Sequence, residues 1–131
     1  MNPEIHYYIE GSRTARLESK VTVYVDGVSP NFRAGQDIEL SHWVINKTPE
    51  KYKAPTSTEI CFNYLDNPEK EYDLVVNNHL DVDGLLSMFV MAYPSLAQKY
   101  RDTLVIMPLK WGISCFGGRE RAFMFLWLYL K

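Results

Sequence analysis

The sequence predicts an α/β fold of packed layers around a largely parallel sheet, on three observations. Short β-branched or apolar runs recur along the chain, and each closes on a turn signal. Segments with helical apolar spacing alternate with those runs from residue 37 onward. Residues able to bind metal gather just past the ends of the runs, and a parallel sheet binds ligands beyond the carboxyl ends of its strands.

Residues 1–20 are polar and mixed, without a period, and read as an N-terminal arm with room for one irregular strand. Val21-Thr22-Val23-Tyr24-Val25 is rich in β-branched residues and stops at Asp26-Gly27, a turn signal. Residues 37–41 form a second short strand that ends at His42-Trp43. Residues 44–55 contain Asn46, Thr48, Pro49 and Pro55, which suits a loop. Thr56 and Glu59 have the spacing of a capping box, and Ile60, Cys61, Tyr64 and Leu65 then share one helical face until Asp66-Asn67-Pro68 stops the helix. Residues 72–78 form the next strand. Gly84 to Ala92 is apolar nearly all round, which predicts a buried helix ended by Tyr93-Pro94. Residues 103–107 read as a further apolar strand, and Gly117-Gly118 leads into a last helix over 119–130. The expected architecture is a three-layer, Rossmann-like domain over residues 21–131.

Composition narrows the functional classes. A chain of 131 residues with 47% apolar content can build one domain with a real core. A net charge of −2 gives no overall pull toward nucleic acid or anionic membrane. No apolar run approaches the roughly 20 residues that cross a bilayer, and no basic-then-apolar leader is visible. Cys61 and Cys115 lack metal-site spacing and read as reduced thiols of a cytoplasmic protein. The last helix is apolar on every side from Phe123 to Leu130, so it needs cover. A homodimer would supply that, but a second domain beyond Lys131 is the favoured expectation.

The most informative stretch is residues 77–87, where His79, Asp81 and Asp83 alternate after the run Leu74-Val75-Val76. In extended backbone, residues two apart point to one side, roughly 7 Å apart. The expectation is one imidazole and two carboxylates facing a common point at a strand end. That donor set suits manganese or a similar divalent ion. Asp26 and His42 also follow proposed strands, so three segments deliver ligands to one edge. Carboxylates so close would repel unless a cation neutralises them. Asp-x-Asp-Gly alone is a common turn; the preceding His79 is what makes the pattern rarer. An EF-hand reading fails, because the bidentate glutamate would fall at Val90.

These residues resemble the DHH phosphoesterase superfamily, whose first motif is a strand followed by His-x-Asp-x-Asp-Gly-x-x-Ser. His79, Asp81, Asp83, Gly84 and Ser87 match all of it. Its second motif, an aspartate at a strand end, is similar to Val25-Asp26-Gly27. Ser41-His42-Trp43 resembles a degenerate form of the Asp-His-His triplet, and Asn46 and Thr56-Ser57-Thr58-Glu59-Ile60 resemble the loop and helix start that come after that triplet. Residues 21–92 are also similar to a bacterial protein group with the same Leu-Ser-His-Trp and Asn-Asn-His-x-Asp patterns. Here the motif order is permuted, and Ser41 and Trp43 replace the first and last residues of the triplet. A site built from strand ends depends on their geometry, not on chain order.

The resemblance implies a phosphoesterase with two manganese or magnesium ions. His79 and Asp81 would hold one ion, Asp83 and His42 the other, and Asp26 would bridge them. The ions would activate a water that attacks phosphorus. Asp26, His42 and Asp83 are thus the implied catalytic residues. Asn77, Asn78, Ser87 and Arg119 are candidate substrate contacts, with Arg121 beside them. The implied substrate is a phosphorylated small molecule or short oligonucleotide. Two alternatives stay open: a non-catalytic metal-binding or regulatory module, and a haloacid-dehalogenase-like phosphatase, which Asp81-Val82-Asp83-Gly84 also resembles, with Asp81 as nucleophile.

Overall fold

The computed structural model describes residues 4–27 and 29–111. Its centre is a four-stranded, all-parallel sheet in the order β1-β4-β2-β3. The strands are β1 (His6–Ile9), β2 (Thr22–Val25), β3 (Ile38–Leu40) and β4 (Leu74–Asn77). The helices are α1 (Ser57–Asp66), α2 (Val82–Ala92), α3 (Pro94–Lys99) and α4 (Arg101–Trp111), with a 3-10 turn at Glu50–Tyr52. This is an α/β arrangement consistent with a Rossmann-like fold.

Strand alternation explains the two faces of the sheet. Val23, Val25, Ile38, Leu40 and Val75 join the main core with Ile60, Phe62, Leu86, Met88 and Met91 of the helices. Tyr24, Leu74 and Val76 form a smaller cluster on the opposite face, with Tyr8 and Phe32 against it. Among the described residues, the helices therefore gather on one face, and the opposite face is covered by chain from the β2–β3 connection. The edge strand β1 comes from the segment read as an arm: it pairs with β4 from His6 opposite Leu74 to Ile9 opposite Asn77.

Two aspartates hold the amino end of the sheet. Asp73 accepts from the Lys20 and Val21 amides. Asp37 accepts from the Thr22 amide at 3.0 Å and from Arg33 through its amide and guanidinium. The helix starts follow the capping rules. The Thr56 side chain accepts from the Glu59 amide to begin α1, and the Asp81 side chain accepts from the Gly84 amide to begin α2. As its all-round apolar pattern predicts, α2 is buried from Asp83 to Ala92.

Three expectations are corrected. Residues 103–107 are not a strand but the middle of α4. Leu104 is 4% exposed and enters the core, whereas Ile106 is 46% and Leu109 57% exposed, a one-sided helical pattern. Short apolar runs do not separate helix from strand. The long-range pair of Arg101 with Asp66, at 2.7 Å through both nitrogens, ties the start of α4 to the end of α1. Second, His79, Asp81 and Asp83 do not share one extended segment. The strand ends at Asn77, Asp81 caps α2, and Asp83 is in its first turn. Third, α2 begins at Val82 rather than Gly84, because the cap forms two residues earlier. The last helix proposed over 119–130, with Arg119, Arg121 and Cys115, lies outside the described residues. No helix among the described residues is long and apolar enough to cross a membrane.

Asp37 gives the fold a defined acid response. Burial pushes its pKa up, but hydrogen bonds from Arg33 and the Thr22 amide outweigh that and hold it below the ordinary range. A carboxylate depressed in the folded state stabilises the fold above its unfolded pKa, about 3.9, and loses that contribution as pH falls through the folded value. Asp37→Asn is expected to lower Tm near pH 7 and to narrow the gap between Tm near pH 7 and near pH 3. A thermal scan showing the wild-type gap in the variant contradicts this assignment.

Candidate metal centre

Parallel strands end on one side of a sheet, and here that side carries all five predicted ligands. Asp26 follows β2, His42 follows β3, and His79, Asp81 and Asp83 follow β4. Asp26 has φ 47° and Gly27 φ 91°, a sharp left-handed turn that aspartate and glycine tolerate. The turn directs the Asp26 carboxylate, 3% exposed, into the crevice between β2 and β4.

The ligand atoms meet in two groups that share Asp26. One is Asp26, His42 and Asp83; the other is Asp26, His79 and Asp81; within each group the atoms lie within 4.8 Å of one another. His79 Nε2 stands 2.8 Å from Asp26 Oδ2 and 3.1 Å from Asp81 Oδ2. His42 Nε2 stands 3.3 Å from Asp26 Oδ1 and 3.2 Å from Asp83 Oδ2. The three residues of the alternating motif therefore do not converge on a single point: Asp83 turns away with the helix to join His42.

Neighbouring residues orient these groups. Asn78 Oδ1 lies 2.8 Å from His79 Nδ1. With Nδ1 held by this amide oxygen, Nε2 is the ring nitrogen that faces the carboxylates. The α1 start meets Asp83: the Ser57 and Thr58 amides donate at 2.8 and 2.9 Å, and Thr58 Oγ1 at 2.6 Å. Ser57 Oγ donates to Asp26 Oδ1 at 2.7 Å and accepts from the His42 amide at 3.0 Å. Ser41 Oγ accepts from the Gly27 and Trp43 amides, joining the ends of β2 and β3.

Charge in the crevice is expensive. Burial, then the neighbouring Asp83 carboxylate, pushes the Asp26 carboxyl up to about 6. Asp83 is also buried, but His42, Thr58 and Ser57 donate to it and hold its pKa down. The hydrogen bond to Asp83 raises the His42 imidazole. Carboxylates and imidazoles at these separations form a donor set that suits a divalent cation. Two further features fit one. The Asn77 amide nitrogen is buried without a hydrogen-bond partner among the described residues. Gly84 permits a close approach, since a Cβ there would run into that nitrogen and would lie 3.1 Å from Asp81 Oδ1 and 3.2 Å from Asp26 Oδ2.

Of the predicted substrate contacts, Asn77 and Asn78 border the crevice. Ser87 is buried in α2 beside the Cys61 thiol; Arg119 lies outside the described residues. Sequence reasoning missed three participants. Trp43, read only as a lost histidine, donates Nε1–H to Asp26 Oδ1 at 2.8 Å and sets its ring edge-on to His79 at 5.5 Å. Ser57 and Thr58, read only as a helix start, carry Asp26 and Asp83. The run of hydroxyls beside the cap was the available signal.

Fold and site together define an α/β protein whose strand ends join two Asp/His clusters through one shared aspartate. A family model described as a family of unknown function (DUF6687) matches residues 11–109, and the chain belongs to that family. The match spans all five clustered residues. No curated protein and no solved structure matches the chain.

The close approach at Gly84 yields a direct test. Gly84→Ala puts a methyl group against the Asn77 amide and two carboxylates, an overpacking that costs about 1–3 kcal/mol. Urea unfolding is expected to show that loss; unchanged stability contradicts the tight approach.

Proposed function

We propose that the protein is a divalent-metal-dependent phosphoesterase that hydrolyses a phosphate ester of the nucleotide or oligonucleotide class. The observation that carries this reading is the shared Asp26, with an Asp/His pair on either side of it. The resemblance to the DHH superfamily supports it, and with it a three-layer domain of that kind. Two manganese or magnesium ions held there would polarise phosphoryl oxygens and lower the pKa of a water.

The chain's own residues have separable tasks. Asp26 Oδ2, His79 and Asp81 form one ligand set, and Asp26, His42 and Asp83 the other. Asn78 fixes the His79 ring, and the α1 start fixes Asp83. The Asn77 amide nitrogen would donate to an oxygen of a bound phosphate or water. The rim is apolar: Trp43 is 47%, Val44 93%, Ile45 89% and Leu80 41% exposed. Such a rim suits an organic ester with a flat or apolar leaving group better than an inorganic phosphate. A free, buried Cys61 fits a reducing, cytoplasmic setting.

A second reading has an observation of its own. Asp26 Oδ1 already accepts from Trp43 and Ser57. A module that binds metal through the other oxygen and does not turn over would keep this geometry. The dehalogenase-like route is the weaker one, because Asp81 caps α2 well beyond the end of β4.

Hydrolysis of a generic phosphodiester, such as bis(p-nitrophenyl) phosphate, tests the proposal. Activity is expected with manganese or magnesium and none after complete chelation. Asp81→Asn and Asp26→Asn are each expected to lose about 100-fold or more. Activity that survives chelation, or either substitution, contradicts metal-dependent hydrolysis. Tight metal binding without hydrolysis of any phosphoester supports the second reading.

A further inference from the structure

The two halves of the crevice differ in what their oxygens have left to offer. On the His42 side, protein donors already take the acceptor positions. Asp26 Oδ1 accepts from Trp43 Nε1 and Ser57 Oγ. Asp83 Oδ1 accepts from the Thr58 amide and hydroxyl, and Asp83 Oδ2 from the Ser57 amide, with His42 Nε2 at 3.2 Å. A carboxylate offers about four acceptor positions in all, so an ion entering here must displace buried donors. Those donors would then be left unpaired.

The His79 side is open. Asp26 Oδ2 and Asp81 Oδ2 each meet only His79 Nε2 among the described residues. An independent feature points to a ligand at this half. Asn77 is 1% exposed, and its Oδ1 accepts from the His79 amide at 3.2 Å. That contact fixes the orientation of the amide, and its nitrogen is left without a partner among the described residues. The close approach at Gly84 brings this nitrogen together with Asp81 Oδ1 and Asp26 Oδ2. A buried donor left unpaired beside two carboxylates is costly, and an oxygen carried in by a bound ion would pair it.

We infer that the two half-sites fill in order: the first divalent ion binds at His79, Asp81 and Asp26 Oδ2, with Asn77 holding a water beside it, and the His42–Asp83 half fills only at much higher metal concentration. This deepens the metal-dependent reading and rests on it. The asymmetry arises because α1 docks on Asp83 and Trp43 docks on Asp26, whereas no helix start or indole among the described residues covers Asp81 Oδ2 or Asp26 Oδ2.

The test is a calorimetric titration of the full chain with manganese chloride, without any phosphoester present. Wild type is expected to show a tight step and a separate weak one. His79→Ala is expected to weaken the tight step by more than about tenfold, and Asn77→Ala by about tenfold. His42→Ala is expected to leave the tight step in place. Both imidazoles are partly exposed on connecting segments, so these two variants serve even where the buried Asn77 substitution unfolds the chain. Two equal steps, a tight step lost in His42→Ala but kept in His79→Ala, or no manganese binding overturns the inference. An ordered titration without hydrolysis leaves the inference standing and removes the phosphoesterase reading; hydrolysis with two equal steps does the reverse.

Discussion

The structure of the crevice depends on one buried carboxylate. Asp26 sits where β2 ends, in a left-handed turn, and receives Trp43, Ser57 and His79 from three other segments. Each of those contacts ties a separate loop or helix to the sheet. A carboxylate so buried, with Asp83 and Asp81 nearby, is harder to ionise than an ordinary one. The surrounding donors, and a cation where one binds, offset that cost. Without Asp26 the two Asp/His pairs would share no residue, and the ends of β3 and β4 would lose their common anchor.

The parallel sheet is what makes such an anchor attainable. All four strands run the same way, so every connecting segment after a strand begins on the same side. β4 lies next to β2, which brings the segment after Asn77 beside Asp26 although they are far apart in sequence. The helices then fix the carboxylates by their amides. Asp83 takes the first amides of α1, and Asp81 takes the Gly84 amide of α2. Both aspartates serve as helix caps and as candidate ligands, so stability and chemistry are coupled at these positions.

Much of this was legible in the sequence because it followed local rules. The β-branched run before Asp26, the Thr56 cap and the all-round apolar α2 each stated their own structure. The five clustered residues were legible from their place after strands. What was not legible depended on tertiary context. Residues 103–107 have strand composition, and only docking against α1 and α2 makes them helical. The alternation of His79, Asp81 and Asp83 suggested an extended tip, but the Asp81 cap turns the chain and separates Asp83 from the other two. Trp43 could not be read as a donor to Asp26 from sequence, since that contact joins the ends of two different strands.

On the proposed reading, Asp26 Oδ2, His79 and Asp81 form a ready cation site beside a second, more occupied one. Anomalous diffraction at the manganese edge, from crystals grown at limiting manganese, reads this most directly. One peak is expected within coordination distance of Asp26, His79 and Asp81, with a solvent oxygen near the Asn77 amide. A peak confined to His42 and Asp83, or no ordered manganese in the crevice, would contradict it.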